Sequence, residues 1–137
     1  MKIRVDDKFL YIYDEKYRLA KIHFIIPHFR RIHLMIEGKG CAGVFYECDS
    51  IEEAENNFEH IWLRLSRNEN FIKIDDKRII NASNVLSSII EKDENSDDYY
   101  KITFKFSDRE CGTVSKSREE LETKKQEVEN ITFKQTL

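Results

Sequence analysis

The stretch SIEEAENNFEHIWLRLS, residues 50–66, changes the periodicity of the chain and decides its fold class. Its apolar residues are spaced by 3, 4, 3, 1 and 3, which places them on one stripe of an amphipathic helix. The stripe consists of Ile51, Ala54, Phe58, Ile61, Trp62 and Leu65. Ser50 precedes it as an N-cap, and Glu53 stands three residues later, at the spacing of a capping box. The pattern predicts a helix over 51–65 with Trp62 as a core anchor.

The chain before this helix alternates with the period of β-strands. The aromatic run at 9–13 predicts a short strand, with a turn at Asp14-Glu15-Lys16 after it. Residues 17–26 alternate with one face more apolar than the other, which predicts a half-buried strand. Pro27 must stop this strand or lie at a sheet edge, because proline cannot donate a ladder hydrogen bond.

Two further strands are predicted before the helix. Residues 31–36 place Ile32, Leu34 and Ile36 on one side of a strand, with Arg31, His33 and Met35 on the other. Gly38-Lys39-Gly40 is a tight-turn signal. Residues 41–48 then predict a returning strand.

The second half follows the same order of strands and then a helix. A hairpin is predicted over 71–81, and the clearest alternation in the chain predicts a strand over 100–106, which returns over 111–116. Ser117 is the predicted N-cap of a second helix with a thin apolar stripe. Residues 82–91 fit a short helix or a strand, and the sequence leaves this open.

These elements predict an α+β fold, mainly an antiparallel sheet with two principal helices. The two capped helices begin with similar sequences, SIEEAE at Ser50 and SREELE at Ser117, which suggests two tandem β-β-β-β-α units. The units would cover 1–67 and 68–137 and together form one compact domain. Any antiparallel sheet followed by a capped helix looks alike, so the sequence leaves a true repeat open.

Composition excludes several classes of protein. The 137 residues include 23 Lys and Arg against 26 Asp and Glu, a formal charge of −3, with 40% hydrophobic residues. No apolar run reaches the roughly 18 residues of a membrane helix, and the first residues lack the apolar region of a signal peptide. Three cysteines, an odd number, favour a reducing compartment. We therefore expect a globular protein of the cytoplasm, from a bacterium or a phage.

One segment of the chain is basic. Residues 16–39 contain six lysines and arginines against one glutamate, and three of the four histidines. An anion or an acidic partner would bind such a patch. The candidate binding residues are Lys21, His23, Arg30, Arg31, His33 and Lys39. Strand parity places Arg31 outward, beside His33, and Lys21 with His23 on the neighbouring strand.

No motif points to catalysis, a metal or a cofactor. The match to G-x-G-x-x-G at 38–43 precedes a predicted strand instead of a helix, so it lacks the helix N-terminus that would hold a pyrophosphate. His23, His28 and His33 are spaced by five and lack a metal-ligand motif. No serine or cysteine stands in a recognisable nucleophile motif. We expect no enzyme activity, no metal and no cofactor.

The sequence therefore favours a non-catalytic binding protein, such as an accessory or mobile-element (phage-like) protein that blocks a cellular partner through the basic and aromatic patch. One alternative is a binder of a small anionic ligand such as a nucleotide, or of nucleic acid. Nucleic acid is less favoured than a protein partner, because the total charge of the chain is negative. Another alternative is a structural subunit that oligomerises through strand edges. A homodimer is expected, because several strands carry little proline to guard their edges.

Overall fold

A computed structural model describes residues 1–40 and 43–136 of the chain, with side chains up to Phe133. Within these residues the strands are β1 Ile3–Val5, β2 Phe9–Ile12, β3 Glu15–Arg18, β4 Ile22–His28, β5 Arg31–Ile36, β6 Val44–Glu47, β7 Phe71–Asp75, β8 Arg78–Asn81, β9 Ser87–Lys92, β10 Tyr100–Lys105 and β11 Glu110–Ser115. The helices are α1 Ile51–Leu65 and α2 Arg118–Thr136. All strand pairs are antiparallel, so the predicted α+β fold with two principal helices is confirmed.

The chain divides into two compact units, the first covering Met1–Asn81 and the second beginning at Ala82. The hairpin β7–β8, which the sequence assigned to the second half, belongs to the first unit because β8 pairs with β4. The boundary between the two compact units therefore falls after Asn81, whereas the boundary predicted from the sequence falls after Arg67. Three strands precede the helix of the second unit in the described residues, where the tandem repeat would have four.

The first unit contains two sheets and α1. Strands β1, β2 and β3 form a three-stranded meander, and the other sheet has the order β6-β5-β4-β8-β7. The apolar stripe of α1 packs with the inner sides of both sheets into one core. Its fully buried members include Phe58, Leu10, Ile12, Ile25, Ile32 and Leu34. At about 1.5–3 kcal/mol for each buried side chain, this core is the main source of stability for the unit.

Helix α1 forms as its sequence predicts. The Ser50 hydroxyl accepts a hydrogen bond from the amide of Glu53 at 3.0 Å, and the Glu53 carboxylate accepts one from the amide of Asp49 at 3.0 Å. These contacts satisfy amide donors at the helix N-terminus. Phe58 and Ile61 are fully buried, but Trp62 is only half-buried at the margin of the core. Trp62 therefore packs against the core from its margin, as a weaker anchor than predicted, and Phe58 is the fully buried anchor of the helix.

The predicted strand at 17–26 is two strands. A 3₁₀ turn at Leu19–Lys21 separates β3 from β4, and a bulge interrupts the pairing of β4 with β5 between Ile22 and Phe24. The bulge changes which residues face the core, so strict alternation fails there. Strand β4 continues through Pro27, because β8 pairs with it only at Phe24 and Ile25 and leaves the Pro27 end as an edge.

The other predicted strands differ less from the structure. Strand β5 buries Ile32, Leu34 and Ile36 as expected. The returning strand is β6, while Cys41 and Ala42, which also belong to the glycine-containing match at 38–43, lie outside the described residues.

The second unit is a three-stranded sheet in the order β11-β10-β9 with α2 against it. Ser117 caps α2 as predicted, because its hydroxyl accepts a hydrogen bond from the amide of Glu120 at 3.1 Å. Leu121 and Val128 are the buried residues of the thin apolar stripe. The segment that the sequence left open begins with a 3₁₀ turn at Ala82–Asn84, and its second half is a strand, β9.

Candidate functional site

The six candidate residues from the sequence do not form one patch. Lys21 lies at one end of β5, where its ammonium group pairs with the Glu37 carboxylate at 3.0 Å, and Lys39 lies in the turn that follows this end. Arg30 and Arg31 lie at the other end of the same strand, in and beside the β4–β5 turn. Six residues of extended chain separate the two ends by roughly 17 Å.

His23 is buried, with 3% of its surface exposed. It stands at the bulge between Ile22 and Phe24, where the alternation of β4 is interrupted. The sequence placed its side chain on the solvent side beside Lys21, and this placement is wrong because the bulge breaks the parity on which it rested. His23 cannot contact a ligand at the surface.

Arg31 and His33 belong to a row of planar side chains on one side of β4, β5 and β6. The Arg31 guanidinium lies 4.5 Å above the centre of the Phe45 ring and binds the Glu47 carboxylate at 2.8 Å. The ring centre of His33 lies 5.9 Å from that of Phe45 and 5.8 Å from that of His28. With Phe29 and Arg30 in the adjoining turn, these residues form the histidine–arginine patch: His28, Phe29, Arg30, Arg31, His33 and Phe45.

A second cationic and aromatic surface, absent from the sequence candidates, covers the solvent side of the meander. The register pairs Arg4 with Tyr11, Tyr11 with Lys16, and Phe9 with Arg18, so these side chains share one side of the sheet. Lys2 has the parity of Arg4. The opposite parity carries Leu10 and Ile12, which are fully buried. We call this surface the meander face: Lys2, Arg4, Phe9, Tyr11, Lys16 and Arg18.

Cations on the meander face lie over its rings. The Arg4 guanidinium carbon lies 4.0 Å from the centre of the Tyr11 ring, and the Lys16 ammonium lies 4.8 Å from the centre of the Phe9 ring. Arg18 approaches the Phe9 ring at 5.7 Å. The two ring centres lie 6.0 Å apart. Four exposed cations and two half-buried rings thus alternate over three short strands.

Asp6 fixes the geometry of the meander face from the β1–β2 connection. Its carboxylate accepts hydrogen bonds from the amides of Lys8 at 2.9 Å and Phe9 at 2.8 Å, and from the Tyr11 hydroxyl at 2.9 Å. The amides of Lys8 and Phe9 are the main reason that the pKa of Asp6 lies below its ordinary value of 3.8. The same carboxylate raises the pKa of Tyr11. The charge of Asp6 is therefore engaged in positioning the two rings.

A cleft opens at the Tyr13 end of the meander face. Its volume is ≈ 470 Å³. The lining residues are Lys2, Ile3, Arg4, Tyr11, Tyr13 and Asp14. Tyr13 adopts a left-handed backbone with φ of 53°, and the β2–β3 turn is Tyr13-Asp14 instead of the predicted Asp14-Glu15-Lys16.

Tyr46 and Tyr17 form a linked pair of tyrosines next to Tyr13. The Tyr13 ring lies 6.2 Å from the ring of Tyr46, whose hydroxyl makes a short hydrogen bond with that of Tyr17. Burial raises the pKa of Tyr46 and of Tyr17. Both hydroxyls therefore stay protonated at neutral pH and hold Tyr46 against Tyr13.

In residues 1–40 and 43–136, no group of three or more His, Cys, Asp or Glu side chains is placed to hold a metal ion. Of the helices in this part of the chain, neither combines the length and the apolar character needed to cross a bilayer.

Comparison with known proteins gives one structural similarity. No protein-family model matches the chain, and no curated protein is significantly similar to it. Among solved structures, the chain is similar to the LytTr DNA-binding domain of a putative methyl-accepting/DNA response regulator from Bacillus cereus. The two are 16% identical, the alignment covers 86% of this chain and 94% of that one, and the TM-score is 0.47. A TM-score below 0.5 does not establish a common fold, so we base no function on it.

Proposed function

We propose that this chain is a non-catalytic nucleic-acid-binding protein that holds single strands on the meander face. The observation that carries the proposal is the alternation of four cations with the Phe9 and Tyr11 rings on one exposed side of a sheet. Cations that follow a phosphate backbone, together with rings on which bases stack, are the two components of single-strand recognition.

The rings favour single strands over duplexes. Bases can stack on an aromatic ring or on an arginine plane only when they are not paired and stacked in a helix. Phe9 and Tyr11 are both half-buried, so part of each ring remains accessible, and the guanidinium of Arg4 adds a plane over Tyr11. A duplex would meet only the four cations, which is few for a protein with a net charge of −3.

The net negative charge of the chain disfavours nucleic-acid binding, but the acidic and basic residues are unevenly distributed along the sequence. The acidic excess is concentrated in segments such as 49–59 and 91–98, away in sequence from the meander. On the meander face Asp6 already accepts three hydrogen bonds, and Asp14 lines the cleft at the Tyr13 end of the face. The four cations Lys2, Arg4, Lys16 and Arg18 outnumber these two carboxylates, so the face has a formal excess of positive charge although the chain as a whole is acidic.

The test is fluorescence anisotropy with a labelled fifteen-residue oligothymidylate and, separately, a duplex of the same length. We expect Phe9→Ala and Tyr11→Ala each to weaken single-strand binding by about 1–3 kcal/mol, the usual contribution of one stacked base. Arg4→Ala should lower the slope of log K against log salt by about 0.7, the value for one phosphate contact on a single strand.

The second unit offers a matched control. Tyr100 also carries a guanidinium over its ring, that of Arg118 at 5.7 Å, but lies outside the meander. Tyr100→Ala and Arg118→Ala should leave oligonucleotide affinity within twofold of the wild type. Equal losses in both sets of variants, or no binding by the wild type at low salt, would refute nucleic-acid binding on the meander face.

A specific observation supports a second function, the protein partner that the sequence favoured. Phe29 is 71% exposed at the tip of the β4–β5 turn and has a left-handed backbone with φ of 54°. Non-glycine residues in this conformation are uncommon, and they concentrate at functional positions. Between His28 and Arg30, this ring would suit an acidic protein surface with an apolar pocket. The histidine–arginine patch is thus the second candidate interface.

A further inference from the structure

The cleft at the Tyr13 end combines three kinds of groups that a nucleotide needs. Lys2 and Arg4 supply positive charge, Tyr13 supplies an exposed ring, and Asp14 supplies a carboxylate. Its volume of ≈ 470 Å³ is within the range of small-ligand sites. The cleft continues the meander face, because Arg4 and Tyr11 belong to both.

The backbone holds the Tyr13 ring at the cleft. The amide of Tyr13 donates a hydrogen bond to the carbonyl of Lys2 at 2.9 Å, which ties the turn to the start of β1. The ring also contacts Tyr46 with centres 6.2 Å apart, yet 55% of the residue remains exposed. A ring fixed on one side and open on the other is suited to stack one more base beyond Tyr11.

Asp14 provides chemical selectivity. None of the ion pairs and side-chain hydrogen bonds found in the described part of the chain uses its carboxylate. An ionised carboxylate only accepts hydrogen bonds, and it accepts two parallel ones well. Guanine presents two neighbouring donors, N1–H and the exocyclic N2 amino group. Thymine and uracil present a single N–H between two carbonyl oxygens. A carboxylate repels these oxygens, because they carry partial negative charge.

We propose that this cleft binds a guanine nucleotide of the single strand, with the base on Tyr13 and Asp14 and a phosphate between Lys2 and Arg4. The inference rests on the proposed function, because the rest of the strand lies on the meander face. It adds a base preference to a surface whose other contacts, rings and cations, are tolerant of sequence.

The experiment compares three seven-residue oligonucleotides in the same anisotropy assay: d(TTTGTTT), the same strand with inosine in place of guanine, and d(TTTTTTT). Inosine keeps N1–H and lacks the N2 amino group. We expect the guanine strand to bind about tenfold more tightly than the thymine strand, in the range of one good bidentate base contact, with inosine between them. Asp14→Asn should remove the difference between guanine and inosine and leave the thymine strand within twofold.

Asp7→Asn is the matched control, since Asp7 is also an exposed carboxylate of the first unit and does not line the cleft. It should preserve the guanine preference. Equal affinity of wild type for the guanine and thymine strands, or a guanine preference that persists in Asp14→Asn, would overturn the assignment of the cleft while single-strand binding stood. Failure of every strand to bind would instead refute the proposed function.

Discussion

The Arg4 guanidinium lies over the Tyr11 ring at 4.0 Å, and the hydroxyl of the same ring donates a hydrogen bond to Asp6 at 2.9 Å. Tyr11 is therefore held at its edge by Asp6 and covered on one side by Arg4. A ring fixed in this way loses little conformational freedom when a base stacks on it or on the guanidinium, which favours binding. The arrangement makes Tyr11 the centre of the meander face.

The first prediction concerns Asp6 and pH. Its folded-state pKa lies below the ordinary value of 3.8, so the ionised carboxylate stabilises the fold above that value, and this contribution is lost as pH falls through the folded pKa. We expect Asp6→Ala to be less stable than the wild type at pH 7 and the difference to shrink as pH falls below about 4.

Urea unfolding of both proteins between pH 7 and pH 3 measures this difference. Asp7→Ala is the control, because Asp7 is an exposed neighbour outside this hydrogen-bond network. A stability difference between wild type and Asp6→Ala that is the same at every pH would contradict the role of the charged carboxylate.

The second prediction concerns the core of the first unit. Phe58 is 1% exposed on the buried side of α1, whereas Leu63 on the same helix is 63% exposed. Phe58→Ala should lower the free energy of unfolding by about 3–5 kcal/mol, and Leu63→Ala by less than about 0.5 kcal/mol. Chemical denaturation of the two variants measures both. Similar midpoints for the two would contradict the packing of α1 on the sheets.

Local patterns in the sequence predict the elements whose residues interact mostly with near neighbours. Helix α1 follows from its apolar spacing and its Ser50 cap, and the hairpin β7–β8 from two short apolar runs around a polar turn. The pairing of β8 with β4 joins residues far apart in the chain, and no local pattern encodes it. The bulge beside His23 also could not be predicted, because the sequence pattern used to recognise a strand is strict alternation, and a bulge interrupts it.

The meander face was not predicted because the turn between β2 and β3 was assigned to the wrong residues. With the turn at Asp14-Glu15-Lys16, Lys16 would lie outside the strands and could not be aligned with Tyr11. The observed turn, Tyr13-Asp14, requires a left-handed tyrosine, which residue preferences disfavour. That turn sets the register that brings Lys16 beside Tyr11 and Arg18 beside Phe9. The period-two spacing of Lys16 and Arg18 was the signal available in the sequence.

The third prediction separates the two candidate surfaces. Arg31 pairs with Glu47 in the histidine–arginine patch, and both side chains are about half exposed, so the ion pair contributes little to stability. Arg31→Glu should change the affinity for oligothymidylate less than twofold, whereas Arg4→Glu should weaken it at least tenfold at low salt. The exchange Arg31→Glu with Glu47→Arg controls for the repulsion between two glutamates.

A different result would place the nucleic-acid interface on the histidine–arginine patch instead of the meander face. If Arg31→Glu weakened oligonucleotide binding as much as Arg4→Glu, and the exchanged pair did not restore it, the strand would lie on the histidine–arginine patch.

The fourth prediction concerns association. The homodimer expected from the sequence stays a prediction, and we place it at β6, one of the two outer strands of the five-stranded sheet. Its residues Val44–Glu47 contain neither lysine nor proline to guard the edge, and Phe45 is 43% exposed. Sedimentation at tens of micromolar should give twice the chain mass of 16.4 kDa, and Phe45→Lys should give the monomer. A wild-type monomer at that concentration would rule out the dimer.

Binding of a single strand on the meander face is tested most directly by nuclear magnetic resonance titration of the ¹⁵N-labelled full chain with oligothymidylate. The predicted result is a saturable set of amide shifts that is largest along β1, β2 and β3, around Arg4, Tyr11 and Lys16. A folded Tyr11→Ala variant should need a roughly 5- to 150-fold higher strand concentration to saturate, which is the equivalent of about 1–3 kcal/mol. The contradicting result is a saturable set centred on β5 and β6 or on the second unit, with the amides of the meander unchanged.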